Sequence, residues 1–182
     1  MSELFDVLRE DGTPAGFRKE RDLIHRDGDW HGSVRLWLIR DGKALLQKRR
    51  EDKESFPGCY DVACSGHIDA GEDAMTAAVR EVQEELGLSV SPADLIFAAR
   101  QKLRIHQNFL GREFVSNEIN TLYLIRETVS LDDLHYQESE ISGLKWMPLA
   151  ELRDALVRRE EAYCISPEEF EIVRKQCEKY GG

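Results

Sequence analysis

Within "SGHIDAGEDAMTAAVREVQEELGL", residues 65–88, Arg80, Glu81, Glu84 and Glu85 crowd four charges into six positions. Like charges three and four residues apart on a helix repel by a few tenths of a kcal/mol per pair, and Arg80 offsets only part of this. Hard divalent cations such as Mg²⁺ take oxygen ligands and bridge protein carboxylates to substrate phosphates, a use that suits such a cluster. The plainer alternative is a solvated acidic face. At about 100° per residue, Met75, Val79, Val82 and Leu86 form one apolar stripe, and Glu84 and Glu85 lie about 60° and 40° to either side of Glu81, away from it.

The surrounding spacing decides between the two. Gly66, five residues, Glu72, seven residues, then Arg80-Glu81-Val82-Gln83-Glu84-Glu85-Leu86-Gly87-Leu88 matches every fixed position of the Nudix box, nine specified positions over 23 residues. The chain therefore resembles the Nudix hydrolases, which cleave a diphosphate linkage in nucleoside diphosphate derivatives with Mg²⁺ or Mn²⁺. The resemblance implies Glu81, Glu84 and Glu85 as metal ligands with Gly66 in the same metal-site set, Glu72 in support, and Arg80 orienting a glutamate through a salt bridge. The chemistry agrees, because bound cations neutralise charge developing on phosphoryl oxygens and lower the pKa of attacking water.

"LIHRDGDWHGSVRLWLI", "ALLQKRREDKESFPGCYDVACSGH" and "SNEINTLYLI" extend the resemblance, over roughly residues 4–160, to the isopentenyl-diphosphate isomerase branch and its hydrolase relatives. Those isomerases hold one metal with three histidines and two glutamates, and His25, His31, His67 and Glu118 fall at or near the matching positions. The departures favour phosphoanhydride hydrolysis. Ser65 stands where the isomerases have cysteine before the Gly-His pair, Ser116 replaces their other glutamate, and the box here is complete where theirs is degenerate. Cys64 is displaced by one residue, which in a strand turns its side chain to the opposite face; it reads as a buried thiol. The histidine spacing departs by one residue from the isomerase pattern, so a second metal site stays open.

"QKRREDK" brings Lys48, Arg49, Arg50 and Lys53 together at a strand end and into a loop, and such a basic cluster could grip phosphate oxygens. Arg49 is the preferred contact, because Leu45, Gln47 and Arg49 share one face by alternation. For the general base, Glu84, Glu118, Glu138 and Glu140 remain open, with Glu138 and Glu140 in a later loop.

A net charge of −10 argues against a nucleic-acid polymer as partner, since phosphate backbones need excess Lys and Arg. It fits a small diphosphate substrate carried by cations. No apolar run reaches the roughly 18 residues of a membrane span, and the start is acidic rather than a basic region leading to an apolar one, so the chain reads as a cytoplasmic protein with no membrane partner. The four cysteines show no metal or disulfide spacing and read as reduced thiols, most of them buried. The resemblance implies a homodimer.

These residues must be positioned by a single domain spanning 1–182, with an N-terminal strand or hairpin over 1–30, the box loop and helix over 66–88, and a C-terminal helix over 166–180. Asp41-Gly42 predicts a hairpin, the helical pattern runs from about Glu72 to Leu86, and Ser166 with Pro167 opens the last helix. Strands and helices mix without strict alternation, so the expected fold is an α/β/α sandwich of α+β type, with a mixed sheet between helices. The competing functions are an isopentenyl-diphosphate isomerase or phosphohydrolase, and a noncatalytic ligand sensor, which the complete set of box carboxylates disfavours.

Overall fold

The computed structural model describes residues 3–109, 111–126, 128 and 130–180. Strands β1 (Leu4–Leu8) and β2 (Pro14–Glu20) form a hairpin, followed by α1 (Arg21–Asp27), β3 (Trp30–Arg40) and β4 (Lys43–Arg49). Short strands β5 (Tyr60–Asp61) and β6 (Cys64–His67) lead into α2 (Ala74–Leu86). Long strands β7 (Leu95–Phe109) and β8 (Arg112–Ile125), then β9 (Ile141–Pro148), α3 (Leu149–Val157) and α4 (Pro167–Tyr180), complete the chain.

The organising strand is β3. It pairs antiparallel with β6 from Ser33↔His67 to Leu36↔Cys64, and parallel with β8 from Trp30↔Asn117 to Leu38↔Ile125. Its pairing with β4 is confined to Ile39↔Ala44 and Arg40↔Lys43, at the Asp41-Gly42 turn. Beyond those pairs β4 takes β5 and β9 as partners. The alternating side chains of β3 supply both faces of the sheet. Val34, Leu36 and Leu38 pack with Ala78, Val82 and Leu86 of α2 on one side, while Trp37 packs with Leu152 of α3 and Phe170 of α4 on the other. Helices thus cover both faces of a mixed sheet, as the sequence predicts.

Several elements differ from expectation. The seven-residue α1 has no side-chain cap at Glu20 and no long apolar period, so nothing local announces it. Helix α2 starts at Ala74 because the Asp73 carboxylate accepts from Thr76 N at 2.8 Å, which leaves Glu72 in the preceding loop. Gly87 ends α2 at φ 67°, with its N–H donating to Gln83 O at 3.1 Å. Of the cysteines only Cys64 is buried; Cys59, Cys164 and Cys177 are partly exposed, because they lie on loops and a helix flank rather than in the sheet. Among the described residues no helix is long and apolar enough to cross a membrane.

Candidate functional site

The apolar stripe of α2 does not mark its whole buried face. Taking Glu81 as zero, the buried positions run from Ala77 at about −40° to Leu86 at about 140°, and Glu85 at about 40° sits near the middle. Met75 and Val79 lie at the edge of this arc and are only partly buried. Two of the three box carboxylates are therefore turned inward against β6, correcting the expectation that they lie away from the core.

Close approach to β6 depends on Gly66. A Cβ there would overlap the Glu81 carboxylate, so that carboxylate rests directly on the strand backbone. Glu85 Oε2 accepts from Ser65 N at 3.1 Å and from Gln47 Nε2 at 3.2 Å. Arg80 organises the remaining acids. Its Nε and Nη2 take the two oxygens of Glu72 at 3.1 and 2.9 Å, Nη2 also donates to His67 O at 3.0 Å, and Nη1 donates to Glu81 at 2.7 Å and Glu84 at 3.2 Å. Glu72 and Arg80 thus form a strut between the box loop and the carboxylates.

Burial raises the pKa of Glu81 and pushes Glu85 up to about 7, with the Glu81 charge adding to the effect on Glu85. Crowded, desolvated carboxylates of this kind fit a hard divalent cation, which supplies the missing charge. The sign of the linkage follows. The folded pKa of Glu85 lies above the ordinary 4.5, so the unfolded chain releases this proton first, and its contribution to stability falls as pH rises from about 4.5 to 7. Without metal, Glu85→Gln is therefore expected to gain about 3 kcal/mol relative to the parent between pH 4.5 and 8. Parallel thermal melts in chelator check this, and a pH-independent difference would remove the assigned shift. The difference between the two proteins is the quantity to follow, because burial holds His67 well below its ordinary value and makes absolute stability rise with pH below 6.5.

These groups line a cavity of about 490 Å³ that also receives residues from elements distant in sequence. Arg49 faces it from β4, with Nε and Nη2 donating to Ser55 O at 3.2 and 2.9 Å. Lys53 faces it from the following loop, ion-paired with Glu140. Arg21, at the start of α1, is a third cation on this wall and was not marked by any sequence pattern. Lys48 alternates to the other face of β4, lies 3.9 Å from Glu51 and does not line the cavity. Glu138 is also outside the lining, its carbonyl accepting from Arg50 Nη1 at 3.0 Å, whereas Glu140 is inside.

At the cavity's α1 side stand His25, His31 and His67, with ligand atoms within 4.8 Å of one another. His25 Nδ1 lies 3.0 Å from Val115 O and His31 Nδ1 lies 3.1 Å from Asp29 O. A carbonyl only accepts, so each Nδ1 carries the proton and each Nε2 of the neutral ring has a free lone pair. Both Nε2 atoms are buried without a hydrogen-bond partner. Glu118 is beside them, its two oxygens accepting from Ser116 Oγ at 2.7 Å and Ser33 Oγ at 2.9 Å. Burial works to raise the Glu118 pKa, but the neighbouring His67 and His31 and the two hydroxyls hold it below the usual carboxylate range. Three imidazoles and a carboxylate fit a divalent transition metal. Cys64 is buried in the α2 core with its thiol against the Glu85 carboxylate, and burial, together with the charges of Glu85 and Glu81, pushes that thiol well up.

Residues 29–166 match the family model described as NUDIX domain. Nudix hydrolase 3 of Arabidopsis thaliana is 35% identical over 97% of this chain, which spans 24% of that protein's length. An uncharacterised Nudix hydrolase of Clostridium acetobutylicum is 31% identical, with coverage of 82% of this chain and 72% of the relative. An isopentenyl-diphosphate Delta-isomerase of Mycolicibacterium vanbaalenii is 26% identical over 91% of this chain and 87% of its own. Among solved structures, DR0079 from Deinococcus radiodurans superimposes with a TM-score of 0.69 at 20% identity, covering 94% of this chain and 98% of the other, a likeness of fold.

Proposed function

The chain belongs to the Nudix family, and from that premise we propose that it is a divalent-metal-dependent pyrophosphohydrolase that cleaves the phosphoanhydride linkage of a nucleoside diphosphate derivative or similar small diphosphate. The observation that carries this reading is the convergence on one cavity of the Glu81, Glu84 and Glu85 carboxylates and the cations Arg21, Arg49 and Lys53. Such a site suits an anion of several charges brought in with a cation. Glu81, Glu84 and Glu85 would hold Mg²⁺ or Mn²⁺, which when bound neutralises phosphoryl charge and acidifies water.

The chain's own residues do the rest. Arg49 and Lys53 bind and orient the diphosphate oxygens, Arg21 closes the same wall, and Arg80 with Glu72 fixes the carboxylates so that little reorganisation accompanies the reaction. Lys48 and Glu138 lie outside the cavity's lining, and this reading assigns them no contact with the diphosphate. Each oxygen of Glu118 accepts one serine hydroxyl and keeps a further lone pair, so Glu84, Glu118 and Glu140, all in the lining, are the candidates to accept the proton of the attacking water. Arg49→Ala is expected to raise KM about tenfold or more while kcat changes less, because a ground-state phosphate contact is lost. An unchanged KM in steady-state assays would remove Arg49 from the contact set.

The histidine pocket favours a second reading, an isopentenyl-diphosphate isomerase or isopentenyl-diphosphate phosphohydrolase. The core-facing Cys64 and the complete glutamate set count against the isomerase. Phosphorus NMR of nucleoside di- and triphosphates, nucleotide sugars, coenzymes and isopentenyl diphosphate, each with Mg²⁺ or with chelator, tests both. Metal-dependent loss of an anhydride resonance supports the hydrolase; conversion of isopentenyl to dimethylallyl diphosphate without phosphate release would establish the isomerase.

A further inference from the structure

The floor of the cavity holds a group of charges that the hydrolytic reading does not use. Arg35 on β3, Asp61 on β5 and Glu169 on the first turn of α4 all line it, although only 8%, 3% and 2% of each is exposed. Arg35 is two residues along β3 from Ser33, so it faces the same side about 7 Å beyond the Ser33↔His67 pair. Part of the group is structural. Arg35 Nε donates to both oxygens of Glu169 at 2.9 Å, Arg35 Nη2 donates to Asp61 Oδ1 at 2.6 Å, and Trp37 Nε1 donates to Glu169 Oε1 at 2.9 Å. These bonds tie α4 to the sheet.

They do not use up the group's capacity. Among the described residues, Arg35 Nη1 has no acceptor, and Asp61 Oδ2 receives no hydrogen bond from a nitrogen or hydroxyl donor, although the Cys164 thiol, a weak donor, stands beside that carboxylate. Neither atom is among the sealed, unpartnered polar atoms of the interior, so both open onto the cavity that their residues line. A donor and an acceptor, each on a side chain more than nine-tenths buried, thus stand side by side on the floor of the substrate cavity. An alkyl chain laid over them would strip water from both and return nothing. A group carrying its own acceptor and donor would satisfy both.

We propose that Arg35 and Asp61 form a recognition subsite for the moiety attached to the diphosphate, and that this moiety is polar, with adjacent hydrogen-bond donor and acceptor groups such as a nucleobase edge or the hydroxyls of a sugar presents. The proposal rests on the hydrolase reading for the placement of the diphosphate and selects among its substrates.

The test is equilibrium binding, which is independent of turnover. Calorimetric titrations with Mg²⁺ use the nucleoside 5′-monophosphates, glucose 1-phosphate, isopentenyl monophosphate and inorganic phosphate as probes, against the parent and Asp61→Asn. At least one polar monophosphate is expected to bind about tenfold or more tightly than isopentenyl monophosphate. It is also expected to move the indole N–H resonance of Trp37, which inorganic phosphate leaves in place. Asp61→Asn, which turns the open acceptor into a donor, is expected to close the gap without weakening inorganic phosphate. A ranking among the nucleotides that changes with the base names the base edge, whereas equal binding of all nucleotides, or tightest binding of glucose 1-phosphate, names the hydroxyls. Isopentenyl monophosphate binding as tightly as any polar probe would overturn the subsite, as would a uniform loss across all probes in Asp61→Asn. If that variant does not fold, the ranking in the parent and the Trp37 resonance still decide. Failure of hydrolysis with this ranking intact would remove the hydrolase reading and leave the subsite.

Discussion

Replacing Glu85 by glutamine is expected to lower kcat by about 10²–10³-fold with Mg²⁺ present, while the metal-free protein keeps its fold. Glutamine preserves the size of the side chain and the oxygen that accepts from Ser65 N and Gln47 Nε2. What it removes is one negative charge at the centre of the buried arc of α2, the charge that a cation would neutralise. The expected pattern is a fall in kcat with KM for the diphosphate changed much less, since Arg49 and Lys53 still grip the substrate. Steady-state kinetics over a Mg²⁺ range check this, and near-normal turnover in Glu85→Gln would remove the carboxylate cage from the account.

The largest effect on stability is expected at Glu169, 134 residues from its partner Arg35. Glu169→Leu leaves the buried guanidinium with Asp61 alone, and breaking a buried pair from one side costs about 3–5 kcal/mol because the remaining charge is stranded. For a chain of this length that lowers the melting temperature by roughly 10 °C. Removing charge from both sides, in Glu169→Leu with Arg35→Met, is expected to recover much of the loss, as apolar replacement of an entire ion pair often does. Thermal melts of the two variants check the claim, and a single-variant loss no larger than that of the double would mean that packing of α4, not the stranded charge, dominates.

The parts of the site that were legible in the sequence are those whose chemistry dictates spacing over a short stretch. The box glutamates lie three and four residues apart because one helix must present them together, and Gly66 is required where their carboxylates approach a strand. Asp41-Gly42 and Ser166-Pro167 were legible for the same reason, since a hairpin turn and a helix start need particular backbone angles and caps. The inward turn of Glu81 and Glu85 was not, because Ala77 and Ala78 mark half of the buried face and alanine carries little apolar signal.

Groups assembled by tertiary pairing left still less trace. His25, His31 and His67 come from α1, β3 and β6 and meet only through the β3–β6 register and the seat of α1 on the sheet. Arg21 joins the basic wall through α1, a helix with no local start signal. Arg35, Asp61 and Glu169 combine two strands with a helix at the far end of the chain. The face of a single residue was readable where alternation is strict, as for Arg49; the same rule places Lys48 outside the cavity.

The central claim is that the glutamates of α2 are crowded because a divalent cation and a diphosphate lie between them and the basic wall. Crystals grown with Mn²⁺ and inorganic pyrophosphate, with data collected for the anomalous signal of manganese, test it directly. The expected result is an anomalous peak bounded by Glu81, Glu84 and Glu85, with pyrophosphate bound in the same cavity in contact with Arg49 and Lys53. Manganese confined to His25, His31 and His67, with no ion at the glutamates when pyrophosphate is bound, would contradict it.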